Sequence, residues 1–450
     1  MNHNTRTMGS KAASLRKAAA ELFPGIVGLW IAVALAKLGN PVILDSQIPP
    51  PASWSEAVFQ PWPVAWGYLL FGAALGLGLA TWKRHRNVPR LLLWAPALWL
   101  AWQCVSSLQK VSAAESTLIA ATLPHFAVCV AAFYLGAFAL PRSGPSPAFW
   151  IGVAGGWLVV VATGWNQHFG GLEEMRKFFY AQPNWRDQPQ ELLTKLASDR
   201  IFSTLIYPNA LAGAMLLVSP VVIFGAWAVG AGRPAWLRAI PPALALVGAL
   251  GCLVWSGSKG GWVIALGLTI LALFTRMRRS SAQVWIVSLL LVAGLSGFWI
   301  RYRAYFERGA TSVSARFDYW AVALANVRDQ PILGSGPGTF MQVYARLKSP
   351  ESEMTRMVHN DYLEQATDSG VLGAVFFTAF VIGAVVVGYR AIQDNWVRFG
   401  VWLGVVGLAV QSLTEFALYI PALAWPWFLA MGALAGARDL KTVDNGSRSS

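Results

Sequence analysis

The sequence predicts an all-α, polytopic integral membrane protein, and its composition is the first reason. Of the 450 residues, 56% are hydrophobic, only 12% are charged, and the mean hydropathy is +0.48. One or two water-soluble cores could not bury this much apolar surface. The second reason is spacing, because about twelve apolar stretches approach the roughly 20 residues that a helix needs to cross the hydrocarbon core.

The predicted spans follow one another along most of the chain. They lie at 23–44, 62–82, 89–108, 118–140, 148–167, 203–229, 237–255, 260–275, 283–300, 370–389, 399–413 and 417–436. Only the letters SGSK separate the seventh span from the eighth. A single interrupted element over 237–275 is therefore the alternative to two spans.

The net charge of +14 follows the predicted topology. When the spans are alternated from a cytoplasmic N-terminus, most Lys and Arg residues of the short connections fall inside. The short outside connections contain only Lys110 and Lys259. Cytoplasmic connections of membrane proteins carry this excess of positive charge. The pattern predicts that both termini are cytoplasmic, and it explains the basicity without a nucleic-acid partner.

The chain divides into five predicted segments. They are a cytoplasmic N-terminal segment (1–22), spans one to nine (23–300) with an outside loop at 168–200, a second outside loop (301–369), spans ten to twelve (370–437) and a cytoplasmic tail (438–450). Both outside loops contain many Lys and Arg residues, and long translocated loops escape the charge rule. Ordered loops of this length are usually functional, so we expect their basic residues to have another role.

The second outside loop is predicted to be partly helical and to end at a histidine. Apolar residues recur at helical spacing near its start: Phe317, Trp320, Ala321, Leu324 and Val327. This pattern predicts an amphipathic helix that ends before Pro331. The glycine turn at 334–338, which includes Gly336, allows backbone amides to approach a ligand. The alternative is a plain turn that packs against the membrane domain. A further helical stretch at 341–347 leads towards His359.

Four motifs in a fixed order resemble a known family. They read DRIFSTLIYPNALA (199–212), SGSKGGW (256–262), ARFDYW…DQPILGSGPGTF (315–340) and HNDYLEQATDSGVLG (359–373). This set resembles the O-antigen ligase and O-antigen polymerase superfamily, the membrane glycosyltransferases of bacterial envelope polysaccharide assembly. The resemblance covers roughly residues 199–415, and the first five helices agree only in hydropathy. It implies a GT-C-like fold with about a dozen spans and a large periplasmic loop between late helices.

The resemblance also implies a reaction and its place. A glycan would move from a polyprenyl (undecaprenyl) pyrophosphate donor to an acceptor hydroxyl, on lipid A core or another glycan, at the periplasmic face of the inner membrane. Partners would be these substrates and membrane lipids. Within the superfamily, a polysaccharide polymerase and a protein O-oligosaccharyltransferase are alternatives. A flippase or transporter of lipid-linked oligosaccharide is less favoured, because the chain has no internal repeat and its polar residues gather at one face.

The leaving pyrophosphate requires either a metal ion or fixed cations to stabilise its charge. The chain has no D-x-D, and its closest carboxylate pairs, at 173–174 and 351–353, are more typical of solvated helix faces. We therefore expect no metal and no cofactor. Arginine is the alternative, because its planar fork binds phosphate bidentately and keeps its charge. The resemblance implies an inverting reaction.

Two arginines match essential positions of the family. Arg200 ends the first outside loop just before a span, and the matching arginine lies in the family's donor site. Its alternative role is that of an interfacial residue with its charge in the headgroups. Arg316 begins the helix of the second loop, and its alternative role is a salt bridge to Asp318. We expect Arg200 and Arg316 to be catalytic residues that hold the pyrophosphate.

His359 is the third expected catalytic residue. A histidine exchanges protons near neutral pH, which suits the activation or alignment of an acceptor hydroxyl. The family pattern H-N-x-Y-L includes it, although a lone histidine at a membrane edge is more often interfacial. Asp361 or Glu364 is expected to fix its tautomer, and the spacing does not decide between them.

Seven further residues are expected to bind substrate. They are Asn209, Lys259, Asn360, Asp361, Glu364, Arg356 and Gly336, with Arg356 as an additional phosphate contact. Glu415 is an acidic residue close to the end of a span, where such residues are usually functional. The sequence assigns it no partner. His168 opens the first outside loop, also without an evident partner.

Overall fold

A computed structural model describes residues 2–83, 87–109, 112–141, 145–183, 185–187, 193, 196–307, 311–392 and 395–437. Every regular element within these ranges is helical. The predicted cytoplasmic tail, 438–450, and Lys110 lie outside the described residues.

The helices of the first half are α1 (Asn2–Lys37), α2 (Trp54–Phe59), α3 (Val64–Ala80), α4 (Arg90–Ser106), α5 (Ala113–Phe138), α6 (Pro147–Asn166), α7 (Leu172–Tyr180) and α8 (Pro208–Val229). Those of the second half are α9 (Ala235–Trp255), α10 (Lys259–Arg276), α11 (Ser281–Glu307), α12 (Thr311–Asp329), α13 (Phe340–Leu347), α14 (Asp361–Ala391), α15 (Trp396–Gln411) and α16 (Pro421–Gly436). Three short 3₁₀ turns and one π-helical turn, Gln167–Gly171, complete the described elements.

The prediction of a polytopic membrane protein is confirmed. Eight of the described helices are long and apolar enough to cross a membrane, and α3, α15 and α16 are shorter apolar helices. Each predicted span coincides with a helix, including 89–108, which is α4. The region 237–275 forms two helices, because α9 ends at Trp255 and the Ser258 side chain caps α10 by accepting a hydrogen bond from Gly261 N (3.2 Å).

Helix α16 lies at the centre of the bundle and packs against α1, α5, α14 and α15. Its aromatic residues Trp425, Trp427 and Phe428 are fully buried. Its contact with α5 depends on small residues, because a Cβ at Gly432 would collide with the carbonyl oxygen of Phe133. Membrane helices commonly approach each other through such residues, since close backbone packing replaces the hydrophobic effect between them.

Helix α14 begins nine residues before the predicted start of its span. Asn360 caps its first turn, and the polar residues that follow are buried within the protein, so hydropathy alone does not detect them. The helix is interrupted at Ser369 and Gly370, where Gly370 has a φ of +69°. The glycine turn at 334–338 packs into this interruption. It binds the carbonyl oxygens that the break leaves unpaired.

The contacts of that turn are specific. Ser335 N donates to Thr367 O (2.8 Å), Gly336 N donates to Asp368 O (2.9 Å), and Gly338 N donates to the Asp368 carboxylate (3.1 Å). The amide of Gly336 is therefore used within the fold. This contact fits the alternative role, a turn that packs against the membrane domain, and substrate binding by Gly336 stays a prediction.

The helix predicted in the second outside loop is α12, but its core-facing side differs from the predicted stripe. Phe317 and Leu324 are 60% and 59% exposed. The buried side contains Tyr319 and Ala323, which pack with Tyr344 of α13 and its neighbours in a small second core. Sequence periodicity detected the helix and could not tell which of its two apolar sides meets α13 and α14.

The contact between α5 and α16 gives a testable prediction. We expect Gly432→Ala to lower the melting temperature of the purified protein, because the added methyl group meets backbone that cannot move aside, and overpacking costs about 1–3 kcal/mol. The matched control is Gly72→Ala in α3, where an added Cβ meets no atom within 4 Å. Equal melting temperatures for the two variants would contradict this packing.

Candidate active site

The carboxylate of Glu415 joins three of the residues singled out from the sequence. It lies in the connection between α15 and α16. Its Oε1 accepts hydrogen bonds from Arg316 Nη2 (2.5 Å) and Asn209 Nδ2 (2.6 Å), and its Oε2 lies 3.4 Å from His359 Nδ1. The Glu415 side chain is only 12% exposed. These residues come from the start of α8, from α12, from the turn before α14 and from the connection after α15.

Arg200 extends this cluster through Asn209. Its Nη2 donates to Asn209 Oδ1 (2.8 Å) and its Nε donates to Ser256 O (2.7 Å). The break between α9 and α10 thus holds the arginine, and Gly257 permits the close approach with a φ of +61°. Burial lowers the pKa of Arg200, and the charge of Glu415 opposes this shift. An arginine remains charged under these conditions.

Arg316 is fixed by backbone as well as by the carboxylate. Its Nε donates to Thr414 O (3.1 Å) and its Nη1 donates to Ser312 O (3.0 Å). The alternative salt bridge to Asp318 is not the one found, since the Asp318 carboxylate accepts a hydrogen bond from Ser352 Oγ. A guanidinium has five N–H groups. Within the described residues, Arg200 uses two of them and Arg316 uses three, so both retain donors for a ligand.

His359 is held by two aromatic rings and the carboxylate. Its ring lies 4.8 Å from that of Phe416 and 5.8 Å from that of Tyr319, and its side chain is 25% exposed. The backbone of His359 has a φ of +56°, a left-handed conformation that costs energy for most residues and often marks functional sites. The 3.4 Å separation from Glu415 is long for a hydrogen bond. Catalytic contacts often shorten only when substrate binds.

The expectation that Asp361 or Glu364 pairs with His359 is wrong. Neither Asp361 nor Glu364 is found against the imidazole, whose acidic neighbour is Glu415. The Asp361 carboxylate accepts from Leu418 N (3.1 Å), and Glu364 Oε2 accepts from Val358 N (2.6 Å). Both side chains are fully buried. They fix the backbone on either side of the site, because one holds the turn after Glu415 and the other holds the residue before His359.

The other expected site residues have different positions. Lys259 is the first residue of α10, and its Nζ lies 3.7 Å from the centre of the Tyr305 ring. It is close enough to Arg200 and Arg316 for their positive charges to repel its ammonium group. Asn360 caps α14 by accepting from Leu363 N (3.1 Å), which is a structural role. Arg356 is partly exposed, and its guanidinium makes no hydrogen bond or ion pair with any described residue. Of these residues, Lys259 is the one that adds a positive charge near Arg200 and Arg316.

Glu415 is the member of this cluster to which the sequence assigned no partner. An acidic side chain in an apolar setting must be paired with a cation or a hydrogen-bond donor. This requirement was the available signal, but the partners lie 206, 99 and 56 positions away in the chain. Only the fold brings them together.

The ionisation of Glu415 follows from its neighbours. Burial acts to raise the pKa of Glu415, but the nearby His359 and the charges of Arg316 and Arg200 outweigh this effect and hold the pKa below its ordinary value. The carboxylate is therefore ionised near neutral pH. Among the residues that the structure describes, no group of three or more His, Cys, Asp or Glu side chains is arranged to hold a metal ion. Metal independence remains a prediction.

We expect Glu415→Gln to destabilise the protein at neutral pH, because loss of one partner from a buried ion pair costs about 3–5 kcal/mol. The pKa of Glu415 is depressed in the folded state, so its contribution is present above the unfolded-state pKa of about 4.3 and is lost as pH falls through the folded-state value. Melting temperatures from pH 7 downwards should show a gap between wild type and variant that closes below about pH 4.

The matched control for this variant is Glu173→Gln. Glu173 forms an ion pair with Arg176, and its side chain is 56% exposed. Exposed pairs contribute little to stability. A melting temperature of Glu415→Gln that equals that of the control at pH 7 would contradict the burial and pairing of Glu415.

Part of the chain is similar to proteins of a known family. Residues 243–378 match a family model described as O-antigen ligase. An uncharacterized protein of Haemophilus influenzae is 26% identical over 152 residues, which cover 28% of this chain and 38% of that relative. The chain thus matches well under half the length of this relative.

The matched segment contains Lys259, Arg316 and His359, whereas Arg200, Asn209 and Glu415 lie outside it. It also contains the segment predicted as the second outside loop and the first half of α14. This match over residues 243–378 confirms the resemblance to the O-antigen ligase superfamily that the motifs indicated.

Proposed function

We propose that this protein is an inverting, metal-independent glycosyltransferase. It moves a glycan from a polyprenyl (undecaprenyl) pyrophosphate donor to an acceptor hydroxyl, on lipid A core or another glycan, at the periplasmic face of the inner membrane. One observation carries the proposal. A single buried carboxylate, Glu415, connects Arg316 and Asn209 on one oxygen with His359 on the other.

The cationic side of this cluster suits the leaving group. Arg200 and Arg316 are each fixed by a backbone carbonyl and still have unused N–H groups among the described residues. Lys259 adds charge beside them. Preorganised cations of this kind stabilise a departing pyrophosphate without having to reorient during the reaction. They supply the charge stabilisation that a bound metal ion would otherwise provide.

The histidine side suits the acceptor. In the proposed step the acceptor oxygen forms a bond to the anomeric carbon while the bond from that carbon to the pyrophosphate oxygen breaks. The pyrophosphate leaves with the bonding electrons, and the hydroxyl proton passes to the His359 ring nitrogen that faces away from Glu415. The carboxylate then stabilises the imidazolium, as an acidic partner does in other histidine-based sites. Attack opposite the leaving group inverts the anomeric configuration.

The alternatives differ in acceptor or in the absence of chemistry. A polysaccharide polymerase or a protein O-oligosaccharyltransferase would use the same cluster with another acceptor. A lipid-linked oligosaccharide flippase would place polar residues near the middle of the spans. The cluster lies instead at helix ends and in connections, at the starts of α8 and α10 and in the turns around 359 and 415. This location favours an enzyme that works at the membrane surface.

We expect His359→Ala to lower glycan transfer at least about 100-fold, because general acid–base groups typically contribute factors of 10²–10⁴. The measurement uses purified protein in nanodiscs, a labelled undecaprenyl-pyrophosphate glycan and a set of candidate acceptors. The acceptor that gains label also separates the ligase, polymerase and protein-modifying alternatives.

The control for surface effects is Arg328→Ala, a change to an exposed arginine on the same helix as Arg316. We expect this variant to keep full activity, whereas Arg316→Ala loses it. A folded His359→Ala variant with wild-type transfer would overturn the proposed function.

A further inference from the structure

An aromatic stack lies at the outer end of α6. The ring of His168 lies flat on the ring of Trp255, with 3.8 Å between centroids and 10° between planes. Trp165 and Phe169 meet the same Trp255 ring by their edges, at 4.9 Å and 5.5 Å. His168 is exposed and Phe169 is 70% exposed. The stack therefore presents an exposed aromatic surface.

Hydrogen bonds connect the residues of this surface to Arg200 and to the residues that follow it. Trp255 O accepts a hydrogen bond from Ile201 N (3.2 Å), and the next residue, Ser256, accepts from Arg200 Nε (2.7 Å). Gln167, the neighbour of His168, accepts from Ser203 N (2.7 Å) through its side chain. Because these bonds hold Arg200 and the residues that follow it, the stack lies close to the arginine.

The chain reaches this position by an irregular turn. The π-helical segment Gln167–Gly171 interrupts the helical path between α6 and α7, with non-helical angles at Phe169 and Gly170. The φ of Gly170 is +122°, which side chains disfavour. Such π-helical turns recur at functional sites, where they redirect side chains. Here the turn places His168 over Trp255.

The nitrogen atoms of His168 are available to a ligand. Among the described residues, neither nitrogen has a hydrogen-bond partner, and the ring is oriented by its contacts with the rings of Trp255 and Phe169. A neutral imidazole offers one donor and one acceptor. Sugar hydroxyl groups both donate and accept, and the C–H faces of a pyranose are apolar enough to pack against exposed aromatic rings.

We propose that His168, supported by Trp255, binds the first sugar of the donor, the pyranose that is attached to the pyrophosphate held by Arg200. This inference rests on the proposed function, because that function places the pyrophosphate beside Arg200. The competing role for the stack is that of an aromatic anchor in the membrane interface, where Trp residues are enriched. The two roles differ in whether the imidazole nitrogens matter.

The test compares two probes and two variants. The probes are undecaprenyl pyrophosphate alone and undecaprenyl pyrophosphate that carries one hexose, either galactose or N-acetylglucosamine. Binding to protein in nanodiscs is measured by native mass spectrometry. His168→Phe keeps a ring on Trp255 and removes both nitrogens. Phe178→Ala is the control, because Phe178 is another aromatic residue of this outside segment and is 72% exposed.

We expect His168→Phe to bind the bare lipid like wild type and the sugar-bearing lipid about tenfold more weakly, the effect of losing one or two hydrogen bonds. Phe178→Ala should bind both probes like wild type. If His168→Phe leaves the binding of both probes unchanged, the stack is an interfacial anchor only and the inference is overturned. If it weakens both probes equally, the sugar contact is likewise overturned.

Failure of the proposed function gives a different result. Arg200→Ala should weaken the binding of both probes, because it removes a pyrophosphate contact. Wild-type protein that binds neither probe, or Arg200→Ala that binds both like wild type, would overturn the donor site itself. A selective loss of the sugar-bearing probe in His168→Phe supports both proposals.

Discussion

The structure depends on how one buried carboxylate is neutralised. Glu415 is almost enclosed by protein at the edge of an apolar bundle, and an ionised group in such a place is costly unless it is paired and hydrogen-bonded. Arg316, Asn209 and His359 provide this pairing from three distant segments. The residues that pair with Glu415 are thus the same ones to which we assign the proposed glycosyl transfer.

The surrounding fold holds this cluster in place by satisfying backbone groups. Asp361 uses both its carboxylate and its amide on the connection that contains Glu415, through Leu418 N and Ser412 O. The glycine turn at 334–338 fills the interruption in α14 and binds its free carbonyls. The break between α9 and α10 supplies the carbonyl that orients Arg200. Irregular backbone near a membrane domain is stable only where such partners exist, and each irregular segment here contributes to the site.

The positions of the helices could be predicted from the sequence, whereas most contacts between them could not. A helix is found at every span that hydropathy predicted, because a helix in lipid must be apolar over its length. The motifs identified Arg200, Arg316 and His359 one at a time. The partner of His359 was wrong, since Asp361 and Glu364 are near in sequence but bind Leu418 and Val358. Glu415 and the exposed side of α12 depend on tertiary packing, which neither periodicity nor spacing records.

A double-mutant cycle in thermal stability measures the interaction between Glu415 and Arg316. The variants are Glu415→Gln, Arg316→Gln and the two combined, all measured at pH 7 in the same detergent. Contacting charged residues show coupling energies of about 0.5–3 kcal/mol. We predict that the double variant loses less stability than the sum of the two single losses, by an amount in this range, because each change already breaks the same interaction. Losses of stability that simply add would contradict the account.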